Sequence, residues 1–182
     1  MTPEAEEARR RRSERRYAIA LVPLSAVAVT LLLVFFVLFH YTTVEGDSMR
    51  PTLLTQDRLL LTKGYDGPHR GDIVVFLLKE QGAEVEVVKR VVGLPGDTVE
   101  TRGDVAWVNG HAEPKGYDIL VGGGDRLVGP VRVPKGSIFV LGDNRVVSLD
   151  SRFIGPIPLT SVVGRAVAIF TPVTRIRRLG TP

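Results

Sequence analysis

Three short stretches hold residues whose types and spacing could do chemistry. The first is Val44-Glu45-Gly46-Asp47-Ser48-Met49-Arg50-Pro51-Thr52-Leu53, with a serine between a glycine and a proline. Glycine lets backbone approach another group closely, and proline fixes φ and supplies no N–H. A serine held there is either an ordinary turn residue or a nucleophile. The second is Glu84–Val92 (EVEVVKRVV), where strand alternation puts Val85, Val87, Lys89 and Val91 on one face. A lysine among valines either snorkels out of an edge strand or is desolvated. Desolvation disfavours the ammonium and can turn a lysine into a general base at neutral pH. The third is Gly142-Asp143-Asn144-Arg145-Val146-Val147-Ser148-Leu149-Asp150-Ser151-Arg152, a polar loop whose Asp150 and Arg152 could pair and whose serines could orient a catalytic group.

Other chemistries fit less well. There is no cysteine, so there is no disulfide and no thiolate nucleophile. The histidines His40, His69 and His111 are scattered and lack metal-ligand spacing, so neither metal nor cofactor is expected. No Gly-x-Ser-x-Gly elbow is present, which disfavours a Ser-His-Asp triad. A serine with a lysine base is a recognised alternative to that triad.

The elements that must position these groups read as mainly β. Strand patterns cover 58–63, 72–78, 84–92, 98–101, 104–108, 137–141 and 162–170, with Asn109-Gly110 as a hairpin turn. Residues 110–130 are rich in glycine and read as a mobile, variable insertion, and 171–182 as a frayed basic tail. Before the strands, residues 1–16 hold six Arg against four Glu, and the 23 residues Tyr17–Phe39 carry no charge. As a helix that run reaches about 34 Å, enough for a hydrocarbon core of about 30 Å. Its length and its bulky end favour an uncleaved anchor over a cleaved leader. The expected organisation is a cytoplasmic basic N-terminus (1–16), a transmembrane helix (17–40), an extracytoplasmic β-rich domain (41–170) and the tail. The positive-inside rule sets that orientation in the plasma membrane. The net charge of +4 comes partly from arginine clusters at the two ends, which suits a phospholipid membrane better than a nucleic acid.

Taken together, the chain resembles the bacterial type I signal peptidases. GDSMRPTL at 46–53, KRVVGLPGD at 89–97 and GDNRVVSLDSR at 142–152 match that family's motifs in order, and RGDIVVF at 70–76 matches a strand motif. The resemblance implies the antiparallel β fold of Ser-Lys proteases and a serine endopeptidase that removes signal peptides from exported preproteins, beside the secretion translocase. By position, Ser48 would be the nucleophile and Lys89 the general base. Ser148 would orient the lysine, with Asp150, Arg152 and Arg90 bracing the site. The Ser48 N–H would hold the oxyanion. Gly46 stands where some members carry an assisting serine, a variant common in the Gram-positive branch, and it leaves the second donor open. Val147 also departs from the polar residue of many members. Met49, Leu53 and Val88 would wall the pocket before the cut and Val44 the next one. The substrate would add as a strand beside 84–88, Val87 included, and beside 44–46. Cleavage would follow a small-x-small sequence such as Ala-x-Ala.

Overall fold

The computed structural model describes residues 22–63, 67–80, 82–114, 116–122 and 129–180. The basic N-terminus and the first part of the expected anchor lie outside them. The chain forms two units, Met1–Leu38 and Phe39–Pro182. In the first, residues 22–38 form a helix, α1, whose apolar side chains are exposed all round. Among the described residues no helix is long and apolar enough to cross a membrane. The helix stops short of the expected boundary at residue 40. Phe39 and His40 instead begin strand β1 (Phe39–Thr43), paired with Thr62 and Leu61. The β-branched Thr42 and Thr43 favour the extended backbone there.

The second unit is antiparallel β, as expected. Its strands in order are β2 (Arg58–Thr62), β3 (Ile73–Glu80), β4 (Ala83–Gly93), β5 (Thr98–Arg102), β6 (Val105–Val108), β7 (His111–Ala112), β8 (Val131–Arg132) and β9 (Ser137–Leu141). After a short helix α2 (Ser151–Ile154) come β10 (Ile157–Pro158), β11 (Val162–Thr171) and β12 (Arg177–Arg178). One sheet runs β1-β2-β11-β3-β4-β9-β10 with β12 on β11, and a smaller one runs β7-β6-β5-β8. Asn109 and Gly110 join β6 to β7 with φ of 52° and 82°, the left-handed conformations a two-residue hairpin turn requires.

Three apolar clusters hold this unit together. One gathers Val44, Met49, Leu53, Leu59, Leu61 and Ile169 beneath the serine turn. A second centres on Val74, Phe76, Val91 and Val140, and a third lies between the two sheets around Val99, Phe139 and Leu141. Strand β4 enters this core obliquely. Its first half is half-buried or exposed, whereas every residue from Lys89 to Gly93 is buried on both faces. Alternation alone predicted one buried face; here Val91 packs in the second cluster and Val92, on the opposite face, in the third.

Two sequence expectations change. The tail is not frayed. Its β12 pairs with β11, the Leu179 N–H donates to the Val167 carbonyl at 2.8 Å, and Leu179 packs on the first cluster. The insertion is tied down in its first half. Leu120 bridges Asn144, and the Tyr117 hydroxyl donates to Glu113 at 2.6 Å. Residues 115 and 123–128 lie outside the described part of the chain.

Candidate active site

Ser48 sits on a turn closed by its own backbone. Val44 N–H donates to the Asp57 carbonyl, Gln56 N–H to the Val44 carbonyl, and Leu53 N–H to the Met49 carbonyl at 2.8 Å. Gly46 enters the turn at φ 79°, a left-handed conformation that L side chains rarely adopt. Open space lies where a Cβ would stand, so the turn's outer side is unobstructed at that point.

Strand β4 brings Lys89 to this turn. Its Nζ lies 2.8 Å from Ser48 Oγ and 3.0 Å from the Val88 carbonyl, and only 4% of the residue is exposed. Burial pushes its pKa down from 10.5 to about 8, with Asp150 and Asp143 pulling the other way. At pH 7 that leaves roughly one amine in ten neutral, against about one in 2,500 for a free lysine. A neutral Lys89 can accept the Ser48 proton; a protonated one donates to the hydroxyl.

The 142–152 loop clasps both groups. Asn144 N–H donates to the Ser48 carbonyl at 3.0 Å, and its Nδ2 donates to the Asp47 carbonyl. Two bidentate pairs hold the loop. Arg90 grips Asp143 at 2.8 and 2.6 Å, and Arg152 grips Asp150 at 2.9 and 3.0 Å. Asp150 also accepts the Gly142 N–H. Thr52 Oγ1 donates to Asp143, which links the loop back to the serine turn. Ser148 is 3% exposed, and its Oγ has no hydrogen-bond partner among the described residues. It packs against Gly142, where any Cβ would overlap both the Ser148 side chain and the Ser48 carbonyl.

A cleft of about 400 Å³ opens in front of the pair, between residues 42–45 and residues 85–89 of β4. Strand β4 pairs with β9 only from Arg90 onward, so its earlier residues have an unpaired edge. Across the gap, His40 Nε2 lies 3.4 Å from Glu86. Val44, Met49, Val87 and Val88 line the cleft. Leu53 does not; it is fully buried in the core beneath. Arg90 makes no hydrogen bond to Ser48 or Lys89 and acts instead on Asp143, Thr52 and the Gly71 carbonyl. The Ser48 N–H donates no hydrogen bond among the described residues.

Sequence reading did not assign Asp143, Asn144, Thr52 or the Arg145–Glu113 pair. Arg145 is bidentate to Glu113 at 2.5 and 2.7 Å, and Tyr117 lies under Arg90 with its ring centre 4.0 Å from the guanidinium. Asp143, Asn144 and Arg145 stood in a quoted motif, and their polar density was the signal. Tyr117 and Glu113 gave none, because their partners are distant in sequence.

A buried amine bonded to a turn serine, facing a gap bounded by strand edges, is an arrangement able to attack a carbonyl in an extended chain. Comparison with known proteins places the chain in a family. The family described as signal peptidase, peptidase S26, matches residues 15–171. A signal peptidase I of Leptolyngbya laminosa is 41% identical over 148 residues, covering 76% of this chain and 72% of that one. Signal peptidase I P of Bacillus subtilis subsp. natto is 39% identical over 172 residues, covering 85% and 90%. A crystal structure of a signal peptidase I from Enterococcus faecalis V583 aligns with a TM-score of 0.45 at 34% identity, over 55% of this chain and 97% of that one. The chain belongs to the signal peptidase family, peptidase S26, and is a serine peptidase of signal-peptide removal.

Proposed function

We propose that the chain cuts exported preproteins after small-x-small sequences, with Ser48 as nucleophile and Lys89 as its base. The 2.8 Å approach of a buried Lys89 to Ser48 Oγ carries this reading. Neutral Lys89 takes the hydroxyl proton as Oγ attacks the carbonyl carbon. The oxyanion then gathers at the Ser48 N–H, a kind of donor worth about 3 kcal/mol. The resulting ammonium returns its proton to the leaving amine, and an acyl-enzyme remains. Water, deprotonated by the same lysine, hydrolyses the ester and restores the serine.

The cleft supports the substrate class. An extended chain lying between 42–45 and β4 would take main-chain hydrogen bonds from both sides. Val44, Met49, Val87 and Val88 leave shallow apolar room in which large side chains clash. The uncharged run 17–39 favours membrane anchoring with the β unit on the outer side, beside the translocase. Anchoring would raise the local concentration of substrates that emerge from the same membrane.

The test is incubation of the protein in detergent with a synthetic Ala-x-Ala preprotein. Wild type should release the mature fragment at that bond. Ser48→Ala and Lys89→Ala should each fold and lose at least about a thousandfold in rate, in the range seen on removing a triad member. Substantial cleavage by either variant would sink the assignment of the pair.

A further inference from the structure

The serine turn is held from the front by the 142–152 loop. It is also held from behind, by a segment that plays no part in the chemistry above. Arg175, in the single-turn helix Val173–Arg175, donates to both oxygens of Asp57 at 2.8 and 2.9 Å. Asp57 is 1% exposed, and its carboxylate also receives the Leu54 N–H at 2.9 Å. Two residues on, Arg177 donates to the Thr52 carbonyl, which Arg175 approaches as well. These groups lie on the same turn as Ser48, between Thr52 and the Asp57–Val44 closure. Thr52 in turn bonds Asp143 in the loop that holds the Ser48 carbonyl.

We infer that the C-terminal segment 173–179 is a brace for the catalytic turn, with Arg175 and Arg177 as positioning residues for the nucleophile. The inference rests on the Ser48–Lys89 reading above. Its physical ground is the cost of loose geometry. A turn with an unpaired buried carboxylate relaxes, and a small displacement of a nucleophile can cost about a hundredfold in rate. The segment has anchors apart from the turn, in the β12–β11 pairing and in the Leu179 N–H bond to the Val167 carbonyl. It can therefore hold the turn without touching the substrate.

The experiment compares the full chain with Arg175→Ala and Arg177→Ala in detergent. Rates are normalised to the fraction of molecules that an acyl-enzyme burst counts as competent. Amide hydrogen exchange is followed in parallel. Arg175→Ala should lower kcat per competent site about tenfold, leave KM within about twofold and leave the pH limb of activity in place. The Leu53 and Leu54 amides should exchange at least about tenfold faster, with those of β3 and β4 unchanged. Arg177→Ala should show the same pattern more weakly, and it carries the test if Arg175→Ala does not fold. A wild-type kcat per competent site, or unchanged exchange at Leu53 and Leu54, overturns the inference. So does a lower melting temperature without a change in either quantity. If wild type itself fails to cleave, the Ser48–Lys89 reading falls, while the exchange arm still decides whether the tail braces the turn.

Discussion

At Lys89, stability and reactivity oppose each other. The fall from 10.5 to about 8 means that the folded site disfavours the ammonium. That difference corresponds to ~3 kcal/mol, charged against the fold at pH values below 8. Between pH 8 and 10.5 the unfolded chain binds the extra proton, so this contribution rises with pH and the penalty is gone above 10.5. Lys89→Met should therefore be inactive yet more stable than wild type at pH 7, by an amount that shrinks to nothing above pH 10.5. Urea titrations across pH measure it, and equal stabilities at pH 7 would contradict a buried ammonium. The activity of wild type should rise as pH passes through about 8. Asp150→Asn removes the larger of the two carboxylate influences on the lysine and leaves Arg152 unneutralised. Both changes disfavour the ammonium, so the limb in log kcat/KM should move to lower pH. A shift the other way would show that the lysine does not set it. Ser48 alone read equally as a turn serine and Lys89 as a snorkelling lysine, and the order of the three motifs is what singled them out. Ser148 was legible only through the family pattern, and the structure adds that its hydroxyl is buried and unpaired.

The 142–152 loop works as a clasp because Asp143, Arg145, Asp150 and Arg152 turn inward and are paired while Val146, Val147 and Leu149 face outward. At Gly142 the clasp leaves no room for a Cβ beside Ser148 and the Ser48 carbonyl. Gly142→Ala should push Ser148 and the Ser48 carbonyl apart and lower kcat by at least about tenfold, with Lys89 and its pH limb largely intact. Single-turnover kinetics at several pH values would check this. A wild-type rate would mean that the loop yields without moving Ser48. Strand β4 was legible over its alternating half, and its edges were found within a residue or two. Its second half is buried on both faces, and the partners that surround Arg90 there, Asp143, Thr52 and Tyr117, are distant in sequence. Short strands such as β7, β8, β10 and β12 carry no periodicity of their own. They form because a longer neighbour offers an edge.

For the molecule as a whole, the sequence showed the β class and most long strands but misjudged what was loose. The insertion and the tail looked polar, glycine-rich or basic, and composition does not reveal distant partners. Arg145 meets Glu113 of the insertion, and Asp57 meets Arg175 of the tail. Burial raises the pKa of each carboxylate, but Arg145 for Glu113 and Arg175 for Asp57, with backbone N–H groups, outweigh it and leave both below their ordinary 4.5 and 3.8. Their stabilisation is therefore full above those ordinary values and is lost as pH falls through the lowered ones. Glu113→Gln should weaken the acid sensitivity of unfolding below about pH 4.5 and lower stability at neutral pH by about 3 kcal/mol, since it leaves Arg145 buried and unpaired. Circular dichroism at graded pH would register both effects, and an unchanged acid midpoint would contradict them. The gap between residues 42–45 and the free edge of β4 has a further consequence. On the function proposed above, a bound peptide would fill that gap as one more strand. Such a slot accepts backbone from any extended chain, including a neighbouring copy or a misfolded client. Glu45 and Glu86 line its rim with negative charge, the usual guard against edge-to-edge association. Neutralising both should leave the fold intact and make the protein stick to itself.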